Sequence, residues 1–316
     1  LFDHLANATR PDARSGAGLP PRQVDAQLQA RRGARILLVE DNEINQQVAR
    51  EVLEDEGFEV VIADNGQIAL DRLAPGHGID LVLMDMQMPV MDGLQATRLI
   101  RERPDLADLP VIAMTANAMA QDQQRCRDAG MNDFVAKPIS PDLLWAALIR
   151  WLPVTPSSVN PLASAPLASD QKQVEGESAW LEAQVPGLDM ALGLRRCAGK
   201  PAFYRQMLAR FFSTQAEVVQ EVRQALLDAD RVAAYRLAHT LKGVAGSVGA
   251  LGVQAAAQVL EQELHEDAEQ LPASDLEPAL RVVEDQLSAV VLALNALLGI
   301  RTSPDALAKS HESDPE

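Results

Sequence analysis

Apolar residues fall into two different rhythms along this chain. Between Arg35 and Leu152, short runs (RILLV, EVVIA, DLVLM, PVIAMT and DFVA) alternate with longer amphipathic stretches. Those stretches are EINQQVAREVLEDEG, GQIALDRL, GLQATRLIRE, NAMAQDQQRCRDAG and SPDLLWAALIRWL. Short, almost wholly apolar runs read as strands buried on both faces, and the stretches between them read as helices. The strict alternation predicts an α/β domain with a parallel sheet covered on both sides.

From Leu188 onward only the helical rhythm remains. AFYRQMLARFFSTQAEVVQEVRQALLD reads as one long amphipathic helix, and DRVAAYRLAHTLKGVAGSV as the next, with Asp230 as its cap. GVQAAAQVLEQELHED and LEPALRVVEDQLSAVVLALNALL complete the set. Consecutive helices on short connections predict an all-α antiparallel four-helix bundle.

The rest divides the chain into linkers. Residues 1–33 have turn-rich composition without a period, and residues 153–187 are rich in Pro, Ser and Ala. The second segment is expected to be a flexible tether, which as a free coil spans on the order of 30 Å. The α/β domain is therefore expected over 34–152, the bundle over 188–299, and a disordered tail over 300–316.

Composition narrows the function. The 316 residues carry a net charge of −17, which argues against a nucleic-acid partner and leaves proteins and cations open. No run of about 18 apolar residues occurs, so neither a membrane span nor membrane contact is expected. The chain starts at Leu1 without a signal-peptide pattern and is expected to be a piece of something longer. Cys126 and Cys197 have no metal-like spacing and read as reduced structural thiols.

Candidate chemistry gathers at the strand ends, where ligands sit in an open parallel sheet. Glu40 and Asp41 follow ILLV, Asp85 follows LVLM, Thr115 follows VIAM, and Lys137 follows FVA. Taken singly, each reads as a turn, cap or loop residue. Together the clustered carboxylates call for a hard divalent ion such as Mg²⁺. With Lys137 that ion would neutralise an incoming phosphoryl group, leaving Asp85 to attack phosphorus.

In the helical half, Val232, Ala238, Leu241, Ala245 and Val248 share one face of their helix and are expected in the core. Tyr235, His239, Lys242, Gly243 and Gly246 lie on the other side, so His239 is expected to face water. Each interior glycine costs roughly 1 kcal/mol relative to alanine, which points either to close helix packing or to room for another protein.

LLVEDNEINQQVA, DLVLMDMQMPVMDG, PVIAMTANA and DFVAKPI resemble response-regulator receiver domains over residues 34–152. The resemblance implies a flavodoxin-like sheet of order 2-1-3-4-5 with Asp85 as the phosphoacceptor. It also implies Mg²⁺ bound by Asp41, Asp85 and the Gln87 carbonyl, with Glu40 acting through water. Thr115 and Lys137 would hold phosphoryl oxygens, Thr115 and Phe134 would form the switch, and the Lys137–Pro138 peptide would be cis. AHTLKGVAGSVGA resembles the signature of histidine phosphotransfer (HPt) domains, a likeness that covers residues 188–299. It implies phosphorylation of His239 on a ring nitrogen, charge relief from Lys242, and docking space at Gly243 and Gly246.

Receiver followed by HPt resembles the tail of tripartite hybrid sensor histidine kinases, which makes residues 1–33 a linker from an upstream kinase region. The implied function is a phosphorelay. A transmitter kinase domain of the same or a partner chain would load Asp85, which would exchange with His239, and a downstream response-regulator receiver would be the other partner. A cytoplasmic fragment is expected, its parent anchored in a bacterial inner membrane. No Gly-rich ATP lid or second H-box histidine is found, so no kinase activity is expected of the fragment itself. Two other readings are a haloacid-dehalogenase-like, Mg²⁺-dependent phosphatase and a scaffold that is never phosphorylated. Gln87, where such phosphatases place an acid/base Asp, argues against the first. The complete set Glu40, Asp41, Asp85, Thr115 and Lys137 argues against the second.

Overall fold

The computed structural model describes residues 21–115, 120–154, 179–182, 185–265 and 273–298. The expected tail and most of the expected tether lie outside those residues. Five parallel strands, β1 (Arg35–Val39), β2 (Glu59–Ala63), β3 (Leu81–Asp85), β4 (Val111–Thr115) and β5 (Asp133–Ala136), form one sheet. Their order is β2-β1-β3-β4-β5, as expected. Alternation along each strand sends neighbouring side chains to opposite faces. Leu37, Val39, Val82, Met84, Val111 and Ala113 pack under α3 (Gly66–Arg72), α4 (Gly93–Arg101) and α5 (Ala120–Asp128). Ile36, Leu38, Leu81, Leu83, Ile112 and Met114 pack under α2 (Glu43–Asp55) and α6 (Pro141–Trp151). Asn42, Asn65 and Asp92 cap α2, α3 and α4 with side-chain oxygens that accept backbone N–H groups.

Part of the stretch read as a linker is ordered. A helix, α1 (Pro21–Gln29), precedes β1 and packs on α6. Leu28 is buried there, and Arg31 just beyond donates from Nε to the Leu152 carbonyl at 3.0 Å and from NH2 to that of Ile149 at 2.8 Å. A guanidinium on the last carbonyls of α6 satisfies acceptors that no helix can satisfy itself.

The helical part comprises α7 (Met190–Arg196), α8 (Pro201–Gln215), α9 (Val218–Leu227), α10 (Arg231–Val248), α11 (Leu251–Leu264) and α12 (Glu277–Leu298). The helix expected to run unbroken from Ala202 to Asp228 is two, α8 and α9, divided at Ala216–Glu217. Beyond the break Val218, Val219 and Val222 turn into the core, while Arg223 reaches Glu277 and Glu284 of α12 at 3.0 and 2.8 Å. The kinked α8–α9 arm, α10, α11 and α12 form the expected bundle around Phe211, Leu241, Leu260 and Val283. Asp230 caps α10 as expected, and Gly249, at φ +83°, closes it in the left-handed region. Val232 departs from expectation. It is 64% exposed, because the buried stripe of α10 begins at Ala234. No described helix is long and apolar enough to cross a membrane.

One glycine fixes the loop after β3. A Cβ on Gly93 would stand 2.0 Å from the Asp85 carbonyl oxygen and 2.9 Å from Met84 Cγ. The start of α4 can lie against the end of β3 only without a side chain there. Gly93→Ala should lower stability by about 1–3 kcal/mol, the usual range for overpacking, read as a reduced midpoint in urea.

Candidate functional site

The switch in strand order between β1 and β3 opens a crevice at the carboxyl ends of the strands. Glu40 follows β1, Asp85 ends β3, and each is only 2% exposed. Lys137, just after β5, places Nζ 2.5 Å from Glu40 Oε2 and 2.7 Å from Asp85 Oδ2. Glu40, Asp41 and Asp85 each offer a carboxylate oxygen, and these oxygens lie within 4.8 Å of one another. Thr115 ends β4, is buried, and accepts the Lys137 N–H on its carbonyl at 2.7 Å. The Lys137–Pro138 peptide is cis.

Burial dominates the electrostatics. It pushes the Asp41 carboxyl up to about 6, with Glu40 adding to the rise and Lys137 and Arg236 opposing it. Burial likewise lifts Asp85 above the ordinary carboxylate range, against the pull of Lys137. Desolvation alone would lower the Lys137 pKa, but Asp85 and Glu40 outweigh it and hold the ammonium charged. Lys137 balances only part of the acidic charge in this crevice. Three oxygen donors so close together suit a hard divalent cation.

His239 stands on α10 and faces a second part of the same space. A cavity of about 660 Å³ is lined from the α/β side by Asp85, Gln87 and Thr115, and from the bundle by Tyr235, His239 and Lys242. The imidazole is not turned to open water as expected, since only 12% of the side chain is exposed. Tyr235 stacks on it with centroids 6.2 Å apart, and Nδ1 lies 2.5 Å from Glu261 Oε1. The other oxygen of Glu261 accepts a hydrogen bond from Lys242 Nζ. Burial alone would raise the Glu261 pKa, but His239 and Lys242 more than offset it and keep the carboxyl below its usual range. An ionised carboxylate only accepts, so Nδ1 is the donor in this contact, and in the neutral ring the lone pair is on Nε2.

The two halves meet along α2 and α10. Ile44 and Val48 of α2 join the apolar core of the bundle. Lys200 Nζ reaches Glu51 and Asp55 at 2.9 and 2.6 Å, and Arg210 pairs with Glu43. Gln87 Nε2 donates to the Tyr235 hydroxyl at 2.9 Å. A Cβ on Gly243 would come 3.4 Å from Asn45 Nδ2, and one on Gly246 would come 3.0 Å from Pro138 Cγ. Those bare positions therefore lie against the α/β half.

The structure thus brings Glu40, Asp41, Asp85, Thr115 and Lys137 together at the strand ends and sets His239 across a cavity that Asp85 and Thr115 also line. Phe134 lies on β5 one strand over, half-buried against the α3–α5 side of the core. Lys242, placed by the sequence on the same side of the helix as His239, is 8% exposed and held by Glu261. Glu261 is a functional residue that the sequence motifs do not single out. Its signal was a charge on the otherwise apolar stripe Ala257, Leu260, Leu264 of α11.

Known proteins share both halves. The family model described as "Response regulator receiver domain" matches residues 36–149, and that described as "Hpt domain" matches residues 206–295. The signal transduction histidine-protein kinase BarA of Escherichia coli is 33% identical over 272 residues, 84% of this chain and 27% of that protein. The sensor histidine kinase GacS of Pseudomonas protegens is 34% identical over 248 residues, 77% of this chain and 26% of that protein. This chain therefore spans about a quarter of the length of those two kinases. The polar-differentiation response regulator DivK of Brucella anthropi is 43% identical over 105 residues, 33% of this chain and 85% of that protein. Among solved structures, the receiver domain of sensor histidine kinase PA1611 from Pseudomonas aeruginosa, with a magnesium ion in its active-site cleft, is 44% identical. It covers 38% of this chain and 97% of that one, with a TM-score of 0.35.

The Asp41 carboxyl yields a prediction with a definite sign. Its pKa is raised on folding, so the charged form costs stability above pH 6 and the cost fades as pH falls toward 4. In metal-free buffer, Asp41→Asn should stabilise the chain by about 1–3 kcal/mol at pH 7.5 and hardly at all at pH 4, as read by thermal unfolding.

Proposed function

We propose that this chain, which belongs to the response-regulator receiver family through residues 36–149 and carries an Hpt domain over 206–295, is a phosphorelay module in which Asp85 and His239 exchange one phosphoryl group. The observation that carries the reading is the single cavity lined by both side chains. Asp85 takes the group first. Its carboxylate oxygen forms a bond to phosphorus as the P–N bond of a transmitter phosphohistidine breaks and the imidazole leaves with the electron pair. His239 Nε2 then attacks the aspartyl phosphate, the P–O bond breaks, and the Asp85 carboxylate departs. A downstream receiver would collect the group by the mirror step on the same face of α10. Transfer needs positioning and charge relief more than covalent chemistry from the protein.

Lys137 supplies a fixed positive charge beside Asp85. Asp41 and Asp85 would hold Mg²⁺ directly with the Gln87 carbonyl, and Glu40 would act through water; bound there, the ion would neutralise phosphoryl charge. Thr115 would hold a phosphoryl oxygen and, with Phe134, report the phosphorylated state to the last helices of the receiver. Glu261 keeps the proton on Nδ1 and so leaves Nε2 nucleophilic, while Lys242 fixes Glu261. The donor domain then covers 34–152 together with α1 packed against it, and the acceptor domain 188–299. The parent is read as a hybrid histidine kinase anchored in a bacterial inner membrane, with this portion in the cytoplasm. Gln87, whose amide cannot shuttle a proton, gives no support to a phosphatase.

The test feeds radiolabelled phosphoryl donor to wild type, Asp85→Asn and His239→Gln. Label that resists alkali but is lost in acid should appear in wild type and vanish in both variants, while His239→Gln keeps an alkali-labile label. Acid-labile label on His239 in Asp85→Asn, supplied by a transmitter kinase alone, would reverse the assigned order. Glu261→Ala should slow the appearance of acid-labile label by roughly 10- to 100-fold, measured by rapid quench.

A further inference from the structure

We propose that Asn45 is a positioning residue that ties α10 to the acid crevice, so that the helix bearing the acceptor imidazole also sets the donor carboxylates. The inference rests on the relay reading above and adds a residue to it. Asn45 lies on α2, where asparagine is a poor helix former, and both ends of its amide are used. Oδ1 accepts from the Ser247 hydroxyl at 2.9 Å, and Nδ2 donates to Glu40 Oε1 at 3.0 Å. The other oxygen of Glu40 meets Lys137 Nζ at 2.5 Å, and that ammonium meets Asp85 Oδ2 at 2.7 Å. An unbroken line of polar contacts therefore runs from the bundle to the nucleophile. Ser247 stands two turns past His239 on α10, so one rigid helix carries both the accepting ring and the first link of the line.

Two further features support a designed contact. Ser247 is 7% exposed, and its hydroxyl also lies 3.0 Å from the Gly243 carbonyl one turn back. A single hydroxyl proton serves one of these acceptors at a time. Apart from the receiver it would close on its own helix; in the docked arrangement it can turn to Asn45. At Gly246 a Cβ would come 2.9 Å from Gln254 Nε2 and 3.0 Å from Pro138 Cγ, so the bare backbone there lets α10 lie this close to the receiver. Glu40 is buried, so a Glu40 oxygen that lost the Asn45 amide would be left short of a donor in a place water barely reaches.

Docking and positioning predict opposite signs in one experiment. In the full chain, with radiolabelled acetyl phosphate and Mg²⁺ as the probe, Ser247→Ala should slow transfer from Asp85 to His239 by roughly 3- to 10-fold. Ser247→Thr, which keeps the hydroxyl, should transfer at close to the wild-type rate. The double variant with Asn45→Ala should be no slower than Asn45→Ala alone, because the two residues act in series. In a His239→Gln background, Ser247→Ala should also slow the loading of Asp85 itself. Loading that is unchanged or faster there would mean that α10 only shields the crevice, and would overturn the role of Asn45 while leaving the relay standing. Absence of any acid-labile label in wild type would overturn the relay reading and this inference together.

Discussion

The ammonium of Lys137, held between two buried carboxylates, is the contact on which the rest of the molecule depends. Burying an unpaired charge is costly, and removing one member of a buried pair strands the other. Glu40 and Asp85 come from adjacent strands and Lys137 from the far edge of the sheet, so all three must be delivered at once. Strand order, Gly93 behind Asp85 and the cap at Asn42 all serve that delivery. The crevice remains rich in negative charge, which makes it receptive to cations and, with a cation, to a phosphoryl group.

The opposing surface answers a different problem. An imidazole proposed to attack phosphorus needs one bare nitrogen, in a place where another active site can approach. Glu261, held by Lys242, meets Nδ1 from inside the bundle, while the bare backbone at Gly246 lets the receiver close in. Charge complementarity between Lys200 and Arg210 on one side and Glu43, Glu51 and Asp55 on the other surrounds a small apolar patch at Ile44 and Val48. Ion pairs of this kind contribute little individually and are screened by salt, so the contact they frame can be made and released.

Much of the receiver was legible because its chemistry is contiguous with its strands. A residue that follows an apolar run in a parallel sheet lies at the ligand edge whatever the details of packing, which is why Glu40, Asp85, Thr115 and Lys137 could be placed together. His239 was legible as a position on a helix but not as an environment. Periodicity says which face it occupies, not that Tyr235 and Glu261 would cover it. Asn45 and Ser247 are some two hundred residues apart, and no local pattern marks such a pair. The break between α8 and α9 leaves no mark in the sequence because the apolar spacing runs through it, and α1 leaves none because nine residues are too few to show a clear period.

Arg31 has a mechanical side. By gripping the Leu152 carbonyl it fastens the polypeptide entering the sheet to the polypeptide leaving it, at the foot of α6. The points at which the chain enters and leaves this domain are thereby held side by side, so that a displacement of one is passed to the other.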